Sequence, residues 1–209
     1  MSRFASSPAP CAVIYQSELD FISRCIMDHT DIETGGQLFG FWTAKGVPVV
    51  LFAIGPGPGA NHQPTFFNQD VNYLKTVGHQ LLEKFGLQHI GEWHSHHQLG
   101  LAVPSGHDAE TMSSSIRHLH LGRFLMGLGN CTTTEAVFNA FEFTEAGGVN
   151  YRRLPWDVKP MDSPFRLAIE ADEKMSRGFV NPHISAPSHG AIYTVQQALE
   201  EWEERQNHV

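Results

Sequence analysis

GEWHSHHQLGLAVPSGHD, residues Gly91–Asp108, is the stretch on which the reading turns. LQHIGEWH (Leu87–His94) just before and through its start has the apolar content of a strand, and His94 and His96 lie two apart at that strand's end. Side chains alternate faces along a strand, so residues i and i+2 point the same way and both imidazoles can reach one ion. Trp93 and Ser95 then face the opposite side, with Trp93 in the core. A helix is expected from Ser105 to about Leu119, which puts Asp108 in its first turn, and the loop between is long enough to fold that carboxylate back to the histidines. Two imidazoles and a carboxylate are a three-ligand zinc set that leaves a fourth position for water, the mark of a catalytic rather than a structural site.

Each signal has an ordinary counterpart. An H-x-H at a strand end is common by chance, and Ser105-x-x-Asp108 also reads as a helix cap with a carboxylate suited to the helix's positive end. Capping and metal binding are compatible, because one helix start can hold both groups near an ion. The order and spacing of the residues together decide between them.

Outward from this stretch, CAVIY (Cys11–Tyr15) reads as a strand, and Ser17 as the cap of a helix to about His29, with Leu19, Ile22, Cys25 and Ile26 on one face. GGQLFGFW (Gly35–Trp42) and VPVVLFAI (Val47–Ile54) read as two strands joined at Lys45-Gly46. GPGPGANHQPTF is too rich in Gly and Pro to promise regular structure, and lacking the GK[ST] of a phosphate loop it reads as a connection or a flap facing substrate. Asp70 caps a helix from Val71 to about Phe85, which Gly86 ends. GRFLMGLG and EAVFNAFEF are two further strands, and GGVNYRRL extends the sheet. The order is mixed α+β, a mixed β-sheet flanked by helices, rather than βαβ repetition. Residues 1–10 read as a loose N-terminus. Residues 155–209 read as a C-terminal extension, ending in a helix over Tyr193–Asn207.

The chain has 209 residues, enough for one domain with its own core, and only 17% of them are charged. A net charge of −8 gives it no generic attraction to nucleic acid or to anionic membranes. Three widely spaced cysteines without a CxxC suggest neither a disulfide framework nor a cysteine zinc knuckle, and fit a cytoplasmic setting. No apolar run has the length of a signal peptide or a membrane span.

HSH, seven residues, then PSxxD resembles the motif of the JAMM (MPN-plus) metalloprotease family, whose pattern also includes a glutamate far upstream before a Gly-rich strand. His94, His96, Ser105 and Asp108 match the motif, and ETGGQLFG supplies Glu33 in the expected context. The lead-in IGEWH and the segment GPGPGANHQPTFFNQD resemble the family's bacterial branch, and the likeness covers roughly residues 11–154, taken as the catalytic domain. The resemblance implies the MPN/JAB (cytidine-deaminase-like) architecture and one Zn2+ with a bound water, held by His94, His96 and Asp108. It further implies Glu33 as general base and Ser105 as hydrogen-bond donor to the oxyanion. The implied activity is cleavage after the C-terminal glycines of a ubiquitin-like protein or its conjugates, whose extended tail adds as a strand near the cleft. A bacterial conjugation system of the antiphage kind is the implied setting, with a further protein partner for the C-terminal extension. One departure is His97, where the family usually has Pro; its side chain is expected to be able to reach the cleft. Two other functions remain compatible with the sequence: a non-catalytic MPN scaffold that binds proteins, and a zinc hydrolase of small sulfur-carrier or cysteine adducts. His62, His79, His89, His107, His183 and His189 are expected at the surface or behind the ligands, and His118-x-His120 has no matching carboxylate.

Overall fold

A computed structural model describes residues 10–118, 121–145 and 150–172. Its centre is an eight-stranded mixed sheet. In chain order the elements are β1 (Ala12–Tyr15), α1 (Gln16–Met27), β2 (Gly35–Trp42), β3 (Pro48–Ala53), β4 (Asn61–Gln63), β5 (Phe66–Asn68), α2 (Val71–Phe85), β6 (Gln88–Ser95), α3 (Gly106–His118), β7 (Arg123–Cys131), β8 (Ala136–Thr144), β9 (Tyr151–Leu154), β10 (Trp156–Lys159) and the short α4 (Arg166–Glu170). The strands lie in the order β10-β1-β3-β2-β6-β7-β8-β9. β1 runs parallel to both β10 and β3, β6 runs parallel to β7, and the other neighbours are antiparallel.

Both faces of the sheet are covered, which is why its central strands read as nearly continuous apolar runs. Phe21, Ile22, Cys25 and Ile26 of α1 pack on one face against Leu38, Ile90, Trp93, Leu125 and Ala140. The other face carries α2 over Phe39, Leu51 and Phe52. Beside it α3 lays Ala109, Met112 and Ile116 on Phe124, Met126, Leu128 and Phe141. The segment β6–α3–β7 is a parallel pair joined by a crossover helix. The carboxyl end of β6 and the start of α3 therefore meet at one rim, where open α/β sheets bind ligands. Among the described residues no helix is long and apolar enough to cross a membrane.

The start of α2 is built as its sequence reads: the Asp70 side chain accepts from the Tyr73 N–H, and Gly86 ends the helix in the left-handed region at φ 66°. Three expectations need correction. Ser17 does not cap α1, which begins one residue earlier behind Tyr15. Its hydroxyl instead donates to Glu18 and accepts from the Ser163 N–H. The stretch after Gly55 is irregular only to Ala60, because Asn61–Asn68 closes into the β4–β5 hairpin.

The boundary after residue 154 also falls inside the fold. β10 pairs with β1 along its whole length, and Ile169 of α4 is fully buried in the α2 core. Arg166 reaches back to the buried Glu18 and lies over the rings of Phe21 and Phe52. Residues 1–9 and the helix expected over Tyr193–Asn207 lie outside the described residues.

Candidate metal centre

The rim is shaped by glycines that let three backbones approach. A Cβ on Gly36 would stand 2.0 Å from the Ile54 carbonyl and 2.7 Å from the Trp93 indole nitrogen, and one on Gly35 would meet the Phe67 ring at 2.5 Å. Only glycine fits there. Trp93 turns away from the rim into the α1 core and donates to the Ile54 carbonyl. Ser95 turns the same way, and its hydroxyl accepts from the Thr34 N–H while its own N–H donates to the Thr34 carbonyl. The end of β6 is thus tied to the residue directly after Glu33.

His94 and His96 emerge on the opposite face, both buried. Their Nε2 atoms are 3.2 Å apart, and Asp108 presents Oδ1 at 3.4 Å from His94 and Oδ2 at 3.2 Å from His96. Three ligands at about 2.0–2.1 Å from a tetrahedral zinc are separated from one another by roughly 3.3 Å. The Nε2–Nε2 separation matches that edge length, and each imidazole has one Asp108 oxygen at a similar distance, so one ligand atom from each side chain lies within reach of a single ion. The tautomer is suitable too. His96 Nδ1 lies 3.2 Å from the Leu101 carbonyl, which can only accept, so Nδ1 carries the proton and Nε2 offers its lone pair. The buried His94–His96–Asp108 group could hold a metal ion.

Asp108 is held by its helix. Ser105 N–H donates to Oδ2 at 2.7 Å, and the Asp108 N–H donates back to Ser105 Oγ at 3.1 Å, the reciprocal cap that the S-x-x-D spacing suggests. Ser105 Oγ thus accepts from the backbone, and its own proton, without an acceptor among the described residues, can donate at the cleft it lines. Burial works to raise the Asp108 carboxyl, but the adjoining His94 and His96 imidazoles and the Ser105 N–H outweigh it and hold the group well below the usual carboxylate range. His94 moves the other way: burial lowers it, and the Asp108 carboxylate more than reverses that.

Glu33 lines the same cleft, half-buried, just before β2. Its N–H donates to the Gln63 carbonyl, and its own carbonyl accepts from His62 Nδ1 at 2.9 Å, so β4 grips its backbone on both sides. Burial raises the Glu33 carboxyl above its ordinary value, against the pull of His94 and His96. A carboxylate so raised is a better proton acceptor.

The cleft measures about 320 Å³. One wall is the β4–β5 hairpin with Phe66 and Phe67, another is the loop carrying the half-exposed Leu99 and Leu101, and α3 closes the third side. Three carboxylates, Glu33, Glu92 and Asp108, line it, and among the described residues no Lys or Arg does. His97 takes no part in the lining. It sits in the left-handed region at φ 34°, where proline's fixed φ cannot go, and its Nε2 bonds the Pro64 carbonyl at 2.7 Å. That contact ties the loop after the ligands to the hairpin turn.

Sequence reasoning left His62 in the background and did not single out Glu92, and the expectation that His97 could reach the cleft is not met, since its side chain turns to Pro64 instead. Glu92 precedes His94 by two and therefore shares its face, a relation the strand period could have supplied. Burial pushes its carboxyl up to about 7. His89 is half-buried against the rings of Phe39 and Phe124, and the loss of solvation there holds it down to about 3.

No protein-family model and no curated protein matches the chain. The fold itself is shared. The solution structure of protein DSY2949 from Desulfitobacterium hafniense superposes with a TM-score of 0.53 at 17% identity, over 72% of this chain and 94% of that one. At that identity the likeness speaks for the fold alone.

Proposed function

We propose that the protein is a zinc-dependent peptidase of the JAMM type that cleaves after the C-terminal glycines of a ubiquitin-like protein, in a bacterial conjugation system. The observation that carries this reading is the convergence of His94, His96 and Asp108 within reach of a single ion, with Glu33 facing the same cleft. The three converging side chains would hold zinc. Bound zinc supplies a Lewis acid and lowers the pKa of a water from 15.7 toward about 7.

The chain's own residues account for the rest. Glu33, fixed through its backbone to β4 and raised by burial, accepts the proton of the attacking water and returns it to the departing nitrogen as the C–N bond breaks. The Ser105 hydroxyl proton donates to the carbonyl oxygen as it gains negative charge. The apolar side chains of Phe66, Phe67, Leu99 and Leu101 suit the neutral, extended tail of a modifier. β5 has β4 on one side only, so its second edge can take that tail as a strand. The Glu33 and Glu92 carboxylates in the lining suit a lysine amine as leaving group.

Incubating the zinc-loaded protein with a linear fusion and with a lysine-linked conjugate of ubiquitin-like proteins tests the reading. Cleavage after the terminal glycine, abolished by a chelator and restored by zinc, is expected. Zinc-independent cleavage, or cleavage at another bond, would refute it.

A further inference from the structure

Glu33 stands outside the sheet. The pairing of β2 with β6 ends at Gly35, opposite His94. Thr34 still bonds Ser95, and Glu33 is one residue further out. Its backbone N–H and carbonyl therefore need partners that the ladder does not supply. Three consecutive residues of the β4–β5 hairpin make up the difference. The Gln63 carbonyl accepts from the Glu33 N–H at 2.9 Å, and His62 Nδ1 bonds the Glu33 carbonyl at 2.9 Å. Pro64, next along, accepts from His97 Nε2 at 2.7 Å, so the same hairpin is fastened to the loop directly after His96. The hairpin thus touches both the base and the loop that follows the ligands.

Of the two bonds on the Glu33 backbone, the one to Gln63 is main chain to main chain, whereas the other depends on the His62 side chain. That ring is set for the task. A carbonyl only accepts, so Nδ1 carries the proton. Burial holds the ring down to about 4, so at neutral pH it is uncharged and its single N–H is committed to Glu33. Stacking on His29, with ring centres 5.9 Å apart, and a tilted contact with Phe67 at 5.3 Å fix its plane. The hairpin closes through its own backbone pairing, so the ring is not needed to form it. Nor does His62 line the cleft itself.

A general base works within hydrogen-bond reach of the proton it takes, and a misplacement of about 1 Å can cost roughly 100-fold. We propose that His62 is the positioning residue for Glu33: its Nδ1–H holds the Glu33 carbonyl and so aims the carboxylate that lines the cleft. The effect on turnover rests on the peptidase reading, but the clamp on the Glu33 backbone does not. A residue that touches no substrate and acts through the base should change kcat and leave KM alone.

The test uses the full-length zinc-loaded protein with three substitutions. His62→Phe and His62→Leu remove the donor and keep an apolar side chain in its place. His62→Asn keeps a donor, because an asparagine amide nitrogen lies close to where imidazole Nδ1 was. Amide hydrogen exchange followed by NMR should show the Glu33 N–H exchanging at least tenfold faster in the Phe and Leu variants and near the wild-type rate in His62→Asn. The Trp93 and Leu125 amides of the central sheet should keep their wild-type rates in all three. With a ubiquitin-like fusion as substrate, kcat should fall at least tenfold in the Phe and Leu variants at unchanged KM and zinc content, and recover in His62→Asn. Wild-type Glu33 exchange in the Phe and Leu variants, an equal loss of kcat in His62→Asn, or exchange that quickens throughout the sheet would each overturn the assignment. Local quickening at Glu33 in a protein that cleaves no fusion would uphold the clamp and refute the peptidase reading. Unchanged exchange in a protein that does cleave would overturn the clamp and leave that reading standing.

Discussion

Asp108→Asn separates the two tasks of one carboxylate. The asparagine oxygen can still accept from the Ser105 N–H, so the α3 cap survives, while the charge that His94 and His96 face at 3.4 and 3.2 Å is removed. For the wild type, zinc at 1,000 times its Kd adds about 4.1 kcal/mol to the stability of the folded state. In a domain of this size each kcal/mol moves Tm by about 2–4 °C, so zinc should raise the wild-type Tm by about 8–16 °C. Loss of a charged ligand should exceed the 10–100-fold that outer partners of a metal site cost. With a loss of about 1,000-fold, the same zinc concentration equals the variant's Kd and adds only ~0.4 kcal/mol, a shift of about 1–2 °C. Thermal unfolding followed by circular dichroism, with zinc and with chelator, reads both numbers. An equal zinc shift in the wild type and in Asp108→Asn would refute the assignment of this carboxylate as a ligand.

The packing sets three further outcomes. Arg166→Ala should lose about 3–5 kcal/mol in urea unfolding, because it strands the buried Glu18 carboxylate without its cation; a loss below 1 kcal/mol would contradict that. His97→Ala should cost about 1 kcal/mol for the bond to Pro64. His97→Pro should cost clearly more, since proline cannot take φ 34°, and equal stabilities would deny the role of that backbone. His89 ordinarily titrates at 6.5 and is held down to about 3 by burial, so below pH 6.5 the unfolded chain binds a proton that the folded one refuses. Its contribution therefore falls as pH drops from about 6.5 toward 3, and the stability advantage of wild type over His89→Leu should shrink from pH 7 to pH 5; a constant difference would contradict it.

Periods and caps were the features legible in the sequence. His94 and His96 share a face because a strand alternates, Asp70 and Gly86 bracket α2, and the S-x-x-D spacing gives the reciprocal cap at Ser105. The hairpin was hidden because its strands are three residues long and come after a Gly/Pro run, too short to show alternation. β10 was hidden for a similar reason: four residues after Pro155 gain their place only by pairing with β1, at the other end of the chain. The mistaken cap at Ser17 shows a tertiary contact winning over a local one, since its hydroxyl serves Ser163 instead. Gln37 and Asn68 carry no spacing signal of their own, whereas Glu92 shares the face of His94 by the strand period. Only the folded chain brings β2, β5 and β6 to one cleft.

The central claim is tested most directly by zinc content and cleavage of a ubiquitin-like fusion, measured side by side for the wild type and for Glu33→Ala. The account predicts about one zinc per chain in both proteins, and cleavage by the wild type that falls at least 100-fold in the variant. A wild type without zinc, or a Glu33→Ala protein that cleaves as fast as the wild type, would contradict it.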